Sequence, residues 1–503
     1  MASRKVRRKK HVQELRLRGL AYSVGALALL AVLYAFYAVH TGNNLTSTIV
    51  STSILTSTIV STSIPTSTTT SMPVSQTNQS WGDAGTVHQY DGGINHTYYV
   101  NEDIGNINVS LNDTIMGPIT VYKKLLLVTT AGPYHDQLIA DYNKTPGSLT
   151  AIDAYTGDVL WRDYFPNQII GQPVVVDNTI IVSMSNNEEI QPQNFTKFNN
   201  PIDRVYAVNL TTGGIIWNFN LSAPSMLTPS YFEGSIFLPT MGGYLVANST
   251  TGNVTYSIWY GLADTMSSPL LINDKVYFGA GLTHGYTSVP ITGNYSFFSV
   301  NATTGKIIWV KNFTEAGSGM NDVTPGYYKG VVITGYLNHS MYTNPILIGL
   351  NSSNGDLLWK VDEIAETHVM NITEPSTVYG GSEPLTEPTM SAITMYNGIA
   401  YADSNFVGVL FAVNATTGKV LWMFNTGQCE SNPNIHDGYL YIMNDIGILY
   451  VLNATTGVQI NEVNTGMHHL SNELTITKNN LIVSSLQGNV ITIPLSSLTG
   501  SGQ

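Results

Sequence analysis

One phrase, repeated seven times between residues 147 and 457, constrains the fold of this chain more than any other feature. In each copy an apolar strand ends in a small residue, any residue follows, and an Asn or Asp then lies four positions before a Gly. The glycines are Gly157, Gly213, Gly252, Gly305, Gly355, Gly418 and Gly457. They are 56, 39, 53, 50, 63 and 39 residues apart, a spacing typical of the four-stranded blades of a β-propeller.

Each position of the phrase has a physical reason. The Asx side chain can accept hydrogen bonds from its own backbone two residues on, and the glycine supplies a positive φ, so the phrase predicts a tight hairpin turn. Four residues later a tryptophan offers a large apolar area and an indole N–H that needs a buried acceptor, which would dock one blade on the next. These tryptophans are Trp161, Trp217, Trp309, Trp359 and Trp422. Tyr256 and Asn461 occupy this offset in the two other copies, where we expect the docking to be degraded.

The pattern of small residue, x, Asp, three residues, Gly and then Trp resembles the tryptophan-docking motif of the pyrroloquinoline-quinone (PQQ)-type repeat. The resemblance covers roughly residues 115 to 500. It implies an all-β propeller, usually of eight four-stranded blades, in a family that includes quinoprotein alcohol dehydrogenases, BamB-type scaffolds and surface proteins without a cofactor. It therefore predicts the fold and leaves the activity open. The chain departs from the family by retaining only Asp153 and carrying Asn at the other Asx positions, Asn209, Asn248, Asn301, Asn351, Asn414 and Asn453.

The blade count follows from what remains after the seventh phrase. The tail supplies three strand-like runs and then the chain stops, so one outer strand is missing. Residues 96–111 are the natural candidate to supply it, which would close the ring and leave no sheet edge open. We expect eight blades, with seven as the alternative, in a propeller domain of residues 81–503.

The N-terminal region predicts where the propeller lies. Residues 20–39 contain no charged residue, and their length suffices to cross a hydrocarbon core of roughly 30 Å as a helix. Residues 1–19 carry eight Lys or Arg and one acid, which predicts a cytoplasmic N-terminus, a single span in the plasma membrane and an extracellular propeller. A cleaved signal peptide is the rival interpretation. Residues 40–80 form a Ser/Thr-rich stalk of low complexity that contains the decapeptide LTSTIVSTSI twice.

The composition supports an exterior location. Charged residues make up 11% of the chain, against roughly 25% in ordinary soluble proteins, and the acidic balance excludes nucleic acid as a partner. With Cys429 as its single cysteine the chain has no internal disulfide. Candidate sites of N-linked glycosylation are dense, for example Asn95, Asn143, Asn194, Asn209, Asn220, Asn253, Asn301, Asn338, Asn371, Asn414 and Asn453. Because Asn caps a turn at any pH whereas Asp is protonated near pH 4, the Asn-rich turns also favour an acidophilic source, such as an archaeon.

Candidate ligand-binding residues are the polar or soft side chains just before the predicted innermost strands, at the mouth of the central channel. They are Gln172, Met226, Met266, Met320, Asp322, Glu387, Cys429, Glu430, Met467, His468 and His469. Thioether, thiolate and imidazole groups in this set would suit Cu(I). Filling of gaps between blades explains the same methionines without any ligand.

Three functions are compatible with these residues. The family resemblance implies, for a quinoprotein dehydrogenase of alcohols or sugars, PQQ bound with calcium, a catalytic Asp, a Trp floor and often adjacent cysteines. The cysteine pair and a CxxCH haem motif are absent from the chain, and copper binding is a weaker alternative. The sequence favours the third function, a non-enzymatic binding or scaffolding module for envelope proteins or glycans, because this needs no special residues.

Overall fold

The computed structural model describes residues 86–87, 98–132, 146–185, 203–221, 225, 227–240, 243–259, 267–280, 295–318, 323–338, 345–369, 392–404, 408–429, 431–467 and 474–500. All of them belong to one compact unit, Asn78–Gln503. The cytoplasmic segment, membrane span and stalk predicted for residues 1–80 lie outside these ranges and stay predictions. No helix within the described ranges has the length and apolar character needed to cross a bilayer.

The described strands form eight sheets, each with four antiparallel blade strands, which confirms the prediction of an eight-bladed propeller with four-stranded blades. Three short strands precede the first blade: β1 (Thr86–Val87), β2 (Tyr99–Val100) and β3 (Asn108–Ser110). Blade 1 consists of β4 (Thr120–Tyr122), β5 (Leu125–Thr130), β6 (Gly147–Asp153) and β7 (Val159–Phe165). Blade 2 consists of β8 (Val174–Val176), β9 (Thr179–Met184), β10 (Arg204–Asn209) and β11 (Ile215–Asn220). Blade 3 consists of β12 (Ser230–Phe232), β13 (Ser235–Thr240), β14 (Gly243–Asn248) and β15 (Val254–Trp259).

The remaining blades repeat this order. Blade 4 consists of β16 (Leu270–Ile272), β17 (Lys275–Ala280), β18 (Tyr295–Asn301) and β19 (Ile307–Phe313). Blade 5 consists of β21 (Gly326–Tyr328), β22 (Val331–Asn338), β23 (Pro345–Asn351) and β24 (Leu357–Asp362), with the extra strand β20 (Ala316–Ser318) paired to β22. Blade 6 consists of β25 (Thr394–Tyr396), β26 (Ile399–Ser404), β27 (Val409–Asn414) and β28 (Val420–Asn425). Blade 7 consists of β29 (Asn434–His436), β30 (Tyr439–Met443), β31 (Ile448–Asn453) and β32 (Gln459–Asn464).

Blade 8 combines both ends of the chain. Its first three strands are β33 (Thr475–Thr477), β34 (Asn480–Ser484) and β35 (Asn489–Pro494), and its outer strand is β3 from before blade 1. β3 runs antiparallel to β35, with Val109 opposite Val490. The described residues also contain two short helices, α1 (Glu363–Val369) after blade 5 and α2 (Leu495–Thr499) after blade 8, although the repeat region shows no helical spacing in its sequence.

The hydrophobic core lies between the blades. Eight clusters of buried side chains are present, and each one spans a different pair of neighbouring blades, including the pair formed by blades 8 and 1. The middle strands supply most of these side chains because both of their faces are covered, as in β5, where five of the six residues are buried. Apolar burial of this kind is worth roughly 25 cal/mol per Å², so the closed ring is held mainly by the packing of one blade on the next.

The repeated turn has the predicted geometry. In blade 1 the Asp153 carboxylate accepts hydrogen bonds from the backbone N–H of Tyr155 at 2.8 Å and of Thr156 at 2.9 Å. In blade 6 the Asn414 amide oxygen accepts from Thr416 and Thr417 at 3.1 and 3.0 Å. All seven turn glycines have positive φ, between 61° and 78°.

The tryptophan of each preceding blade also docks on this turn. Each indole N–H donates to the carbonyl of the residue after the next blade's Asx, over 3.1 to 3.2 Å: Trp161 to Leu210, Trp217 to Ser249, Trp309 to Ser352, Trp359 to Ala415 and Trp422 to Ala454. The same tryptophan covers the next turn glycine, so that a Cβ on Gly457 would lie 2.6 Å from the Trp422 ring. The glycine is therefore required both by its φ and by the absence of space.

The two positions expected to be degraded still donate hydrogen bonds. The Tyr256 hydroxyl donates to the carbonyl of Gly305 at 3.2 Å. The Asn461 amide donates to the carbonyl of Leu498 in α2 at 3.0 Å. The expectation of degraded docking was wrong for the hydrogen bond, because a phenol or an amide reaches a carbonyl at the next blade as an indole does, with less apolar contact.

Candidate functional site at the mouth face

Two faces of the ring can be distinguished from the strand order. The first strands of neighbouring blades contact each other, as β25 contacts β29 and β29 contacts β33, so these strands line the axis. They begin on one face, which we call the mouth face, where the second strand of each blade also ends. The Thr-Gly turns lie on the opposite face, called the turn face. The mouth face is where ligands of the channel were predicted to bind.

Hydroxyl groups connect the innermost strands at the mouth face. The first residue of four of these strands donates to the carbonyl of the residue just before the next blade's innermost strand, over 2.6 to 2.9 Å: Thr120 to Pro173, Ser230 to Pro269, Thr394 to Pro433 and Thr475 to Ile119. Because these residues are fully buried, each bond provides a partner for a hydroxyl and a carbonyl group that water cannot reach. The axis is therefore lined by neutral groups that hold the blades together.

A second set of bonds joins residues that lie two positions before the innermost strands. The Gln172 backbone N–H donates to the Thr228 hydroxyl at 2.8 Å, and the Ser268 N–H donates to the Thr324 hydroxyl at 3.1 Å. Gln172, one of the predicted ligand residues, is 0% exposed. It therefore belongs to the structural contact between blades 2 and 3.

Of the other predicted ligand residues, the structure describes only Cys429 and Met467. The Cys429 thiol is buried beside the Met443 carbonyl at 3.3 Å, in the apolar cluster of blades 6 and 7, whereas Met467 lies in the cluster of blades 7 and 8. Burial raises the pKa of the Cys429 thiol well above its ordinary value, which removes the thiolate that a soft metal would bind. The remaining candidates lie outside the described residues: Met226, Met266, Met320, Asp322, Glu387, Glu430, His468 and His469.

Two buried acids, Glu363 and Asp403, form a feature that the sequence reasoning missed. Asp403 lies near the mouth-face end of β26, Glu363 begins α1, and both are 0% exposed. The Thr426 hydroxyl donates to the Asp403 carboxyl at 3.0 Å, and Ser404 is the hydrogen-bonding neighbour of the Glu363 carboxyl. The sequence did contain a signal, because Asp403 is an acid at a strand position that is uncharged in other blades. The residues at the matching position of β5, β9, β13 and β17 are Thr129, Ser183, Pro239 and Gly279.

Burial favours the protonated form of both acids. Burial raises the pKa of Asp403 to about 8, although hydrogen bonds from Thr426 and Cys429 lower it in part. Burial, and then the nearby Asp403, raise the pKa of Glu363 well above its ordinary value, with Ser404 lowering it in part. The acid pair is therefore neutral in acidic solution and can donate hydrogen bonds or a proton there.

The described residues do not fit a PQQ and calcium site. They contain no group of three or more His, Cys, Asp or Glu side chains that could hold a metal ion. The tryptophans whose side chains are described all lie in outer strands, where their indoles bond to the next blade. None of them is available as the floor of a cofactor site on the axis.

Two short described pieces of the chain before blade 1, residues 86–87 and 98–100, lie against innermost strands near the turn face. β1 pairs with the innermost strand of blade 2, and β2 pairs in parallel with the innermost strand of blade 8. The Tyr98 hydroxyl accepts from the Val121 N–H at 2.8 Å and donates to the Val121 carbonyl at 3.1 Å. The Tyr99 ring stacks on His436 of blade 7 with centroids 3.7 Å apart. Together these two pieces contact blades 1, 2, 7 and 8.

The eight four-stranded blades and their tryptophan-docked turns define a β-propeller of the PQQ type. The family model described as "Outer membrane protein assembly factor BamB" matches residues 111–197, 202–378, 281–424 and 382–499, so the chain belongs to this family. This confirms the resemblance inferred from the turns.

Three curated relatives carry two different functions. The chain is 24% identical to a tetrathionate hydrolase of Acidithiobacillus ferrooxidans over 318 residues, which cover 58% of each protein. It is 25% identical to a tetrathionate hydrolase of Acidianus ambivalens over 394 residues, which cover 72% of this chain and 69% of the relative. It is 22% identical to BamB of Shewanella oneidensis over 318 residues, which cover 59% of this chain and 64% of the relative.

Solved structures share the fold at lower identity. The crystal structure of BamB from Moraxella catarrhalis matches with a TM-score of 0.52 and 14% identity, covering 78% of this chain and 99% of that one. The quinohemoprotein alcohol dehydrogenase ADHIIG of Pseudomonas putida matches with a TM-score of 0.53 and 10% identity, covering 84% and 81%. At these identities the likeness shows the propeller and carries no assignment of activity.

Proposed function

We propose that the chain is a hydrolase, located outside the cytoplasm, that breaks a sulfur–sulfur bond of tetrathionate or a related polythionate at the mouth face. The similarity to two tetrathionate hydrolases supports the substrate class. The observation that carries the proposal is the pair of buried neutral carboxyls, Glu363 and Asp403, below the mouth face.

The chemistry needs no oxidant and no cofactor. Water is added across one sulfur–sulfur bond, so that one sulfur gains the hydroxyl group, the other gains a proton, and the bond between them breaks. Tetrathionate is a dianion, and an ionised carboxylate would repel it, whereas a neutral carboxyl can donate a hydrogen bond to the substrate and a proton to the leaving sulfur. A solvent-exposed carboxyl is protonated only below a pH of about 4. Burial raises its pKa and so extends the pH range in which it can act as an acid.

Substrate turnover by the purified full-length chain tests the proposal. Consumption of tetrathionate is measured by ion chromatography from pH 2 to pH 8, with wild type, E363Q and D403N. Loss of a general acid costs about 100-fold or more in rate, so at least one of the two variants is expected to lose that much activity. D158N, which removes an exposed carboxyl at the blade 1 turn, serves as the control for charge. Folded wild-type protein that leaves tetrathionate intact at every pH would refute the proposal.

A scaffolding function is the second candidate, and one observation favours it. The outer strands carry neighbouring apolar residues that are each at least 40% exposed: Val159 and Leu160, Ile215 and Ile216, Ile307 and Ile308, and Leu357 and Leu358. Exposed apolar area distributed around the rim is suited to binding other envelope proteins, and BamB relatives are assembly factors by name. Crosslinking in intact membranes should then capture a partner that is lost when Ile307 and Ile308 are replaced by Thr.

The location is part of the proposal. The apolar residues 20–39 would anchor the chain in the plasma membrane with the propeller outside. Protease treatment of intact cells should remove the propeller and leave a membrane-embedded fragment of fewer than about 100 residues. Protection of the whole chain would contradict this placement.

A further inference from the structure

The turns of blades 2 to 7 share a property that the turn of blade 1 lacks. All six Asn residues of the phrase are followed two positions later by Ser or Thr, with no Pro between, so each is an acceptor sequence for N-glycosylation: Asn209, Asn248, Asn301, Asn351, Asn414 and Asn453. At the single turn that keeps Asp, Asp153, the residue two positions later is Tyr155. Asn therefore occurs at the Asx position wherever the hydroxyl is present, and Asp occurs where it is absent.

Turn stability alone does not explain this hydroxyl. The residue three positions after Asn is used by the turn, as the Thr417 hydroxyl donates to the Asn414 amide oxygen at 3.0 Å and accepts from the Lys419 N–H at 3.3 Å. The hydroxyl two positions after Asn is exposed in all six turns. Among the described residues it makes a hydrogen bond only at Thr211, to Asn178 at 3.4 Å. The turn thus uses the side chain at the third position, whereas the hydroxyl at the second position makes no hydrogen bond to a described residue in five of the six turns.

The Asn side chain is positioned for modification at its nitrogen. Its oxygen Oδ1 is occupied, since it accepts backbone N–H groups, at 3.1 and 2.9 Å in the case of Asn453. Its nitrogen Nδ2 makes no hydrogen bond to a described residue at five of the six turns, and the exception is Asn301, which donates to Asp274 at 3.1 Å. Capping by oxygen and glycosylation at nitrogen can therefore coexist on the same side chain.

We propose that these turns form a ring of N-linked glycans, one on each of blades 2 to 7, around the turn face. In the reaction Nδ2 loses one proton and bonds to the anomeric carbon of a sugar, and the lipid-phosphate carrier that held the sugar leaves with the bonding electrons. The co-reactant is accordingly a lipid-phosphate-linked oligosaccharide outside the cytoplasm. The six Asn residues lie at the ends of the third strands of their blades, so the ring lies on the face opposite the mouth face. This inference goes beyond the proposed hydrolase and does not depend on it.

Glycopeptide mass spectrometry of the full-length chain, purified from the membranes of the organism that makes it, tests the ring. We expect sugar on the peptides of Asn414 and Asn453, and a lower occupancy at Asn301, whose Nδ2 already has an acceptor. T416A should abolish modification of Asn414, T416S should restore it, and T417A, which keeps the acceptor sequence, should retain it. N414D should remove the sugar and leave the fold intact, because Asp153 caps its turn in the same way.

The possible outcomes separate cleanly. Unmodified Asn414 and Asn453 in the native protein would overturn the proposal, as would a sugar that persists in T416A. Occupancy is read from masses, so a protein that is glycosylated at these sites but leaves tetrathionate intact supports the ring while it refutes the hydrolase. Acid tolerance as the sole reason for Asn would leave all six sites bare.

Discussion

Replacing Asp403 by Asn should remove a large part of the dependence of stability on pH. The carboxyl has a pKa of about 8 in the folded ring against an ordinary value of 3.8. Because the folded state holds its proton more tightly, this group's stabilising contribution is complete below pH 3.8 and is lost as the pH rises towards about 8. Each pKa unit corresponds to about 1.4 kcal/mol, so the loss amounts to about 5 to 6 kcal/mol. Glu363 acts in the same direction, since its pKa is also raised.

Urea unfolding followed by circular dichroism at intervals from pH 3 to pH 8 measures this effect. Wild type should lose stability by about 1.4 kcal/mol per pH unit for each such group between the two pKa values. D403N keeps an oxygen that accepts the Thr426 hydroxyl and cannot ionise, so its stability should fall less steeply by about that slope. The exposed control D158N should follow wild type. The reasoning is refuted if D403N and wild type lose stability in parallel across this range.

Three further predictions concern the docked turns. W422F should lower the free energy of unfolding by about 1 to 2 kcal/mol, because the indole bond to the Ala454 carbonyl is lost; an unchanged urea midpoint would show that the bond is not needed. G457A should cost more than G438A, since φ is positive at both positions but a Cβ meets the Trp422 ring at 2.6 Å only at Gly457 and meets nothing within 4 Å at Gly438; equal urea midpoints would contradict this. N414D should match wild type at pH 7 and unfold at lower urea at pH 2, where the capping carboxyl is protonated; equal midpoints at pH 2 would argue against an acid advantage of Asn.

Much of the fold could be predicted because the turn phrase is a local signal. An Asx cap, a glycine with positive φ and a tryptophan four residues on lie within nine residues and specify the hairpin and its docking partner together. Seven copies of the phrase then fix the period, and the missing eighth outer strand points to the N-terminal segment. That Tyr256 and Asn461 still bond to the next blade could not be predicted, because the reach of a side chain to a carbonyl depends on the spacing of the blades.

The candidate site was much less predictable. Of the residues chosen before the innermost strands, Gln172 lies at the mouth face as part of a contact between blades, and eight others lie outside the described residues. Asp403 lies in a strand of blade 6 and Glu363 in the helix that follows blade 5, and whether an acid is buried depends on what the neighbouring elements place over it. Strands as short as β1 and β2 carry no periodic pattern, so their position along the axis could not be read from the sequence either.

The interactions that join the blades are of a kind that acid leaves intact. Indole, phenol, amide and hydroxyl groups donate to backbone carbonyls at the outer turns and at the axis, and none of these groups changes its charge between pH 2 and pH 7. The described residues contain two ion pairs between Lys or Arg and Asp, of which only that of Arg162 and Asp113 is mostly buried, and one contact between His436 and Asp437. A chain stabilised by surface ion pairs would weaken as its carboxylates are protonated, whereas this ring loses little and has two buried acids that need their protons. The neutral docking bonds thus tolerate acid, and the two buried acids are most stabilising in it, for independent physical reasons.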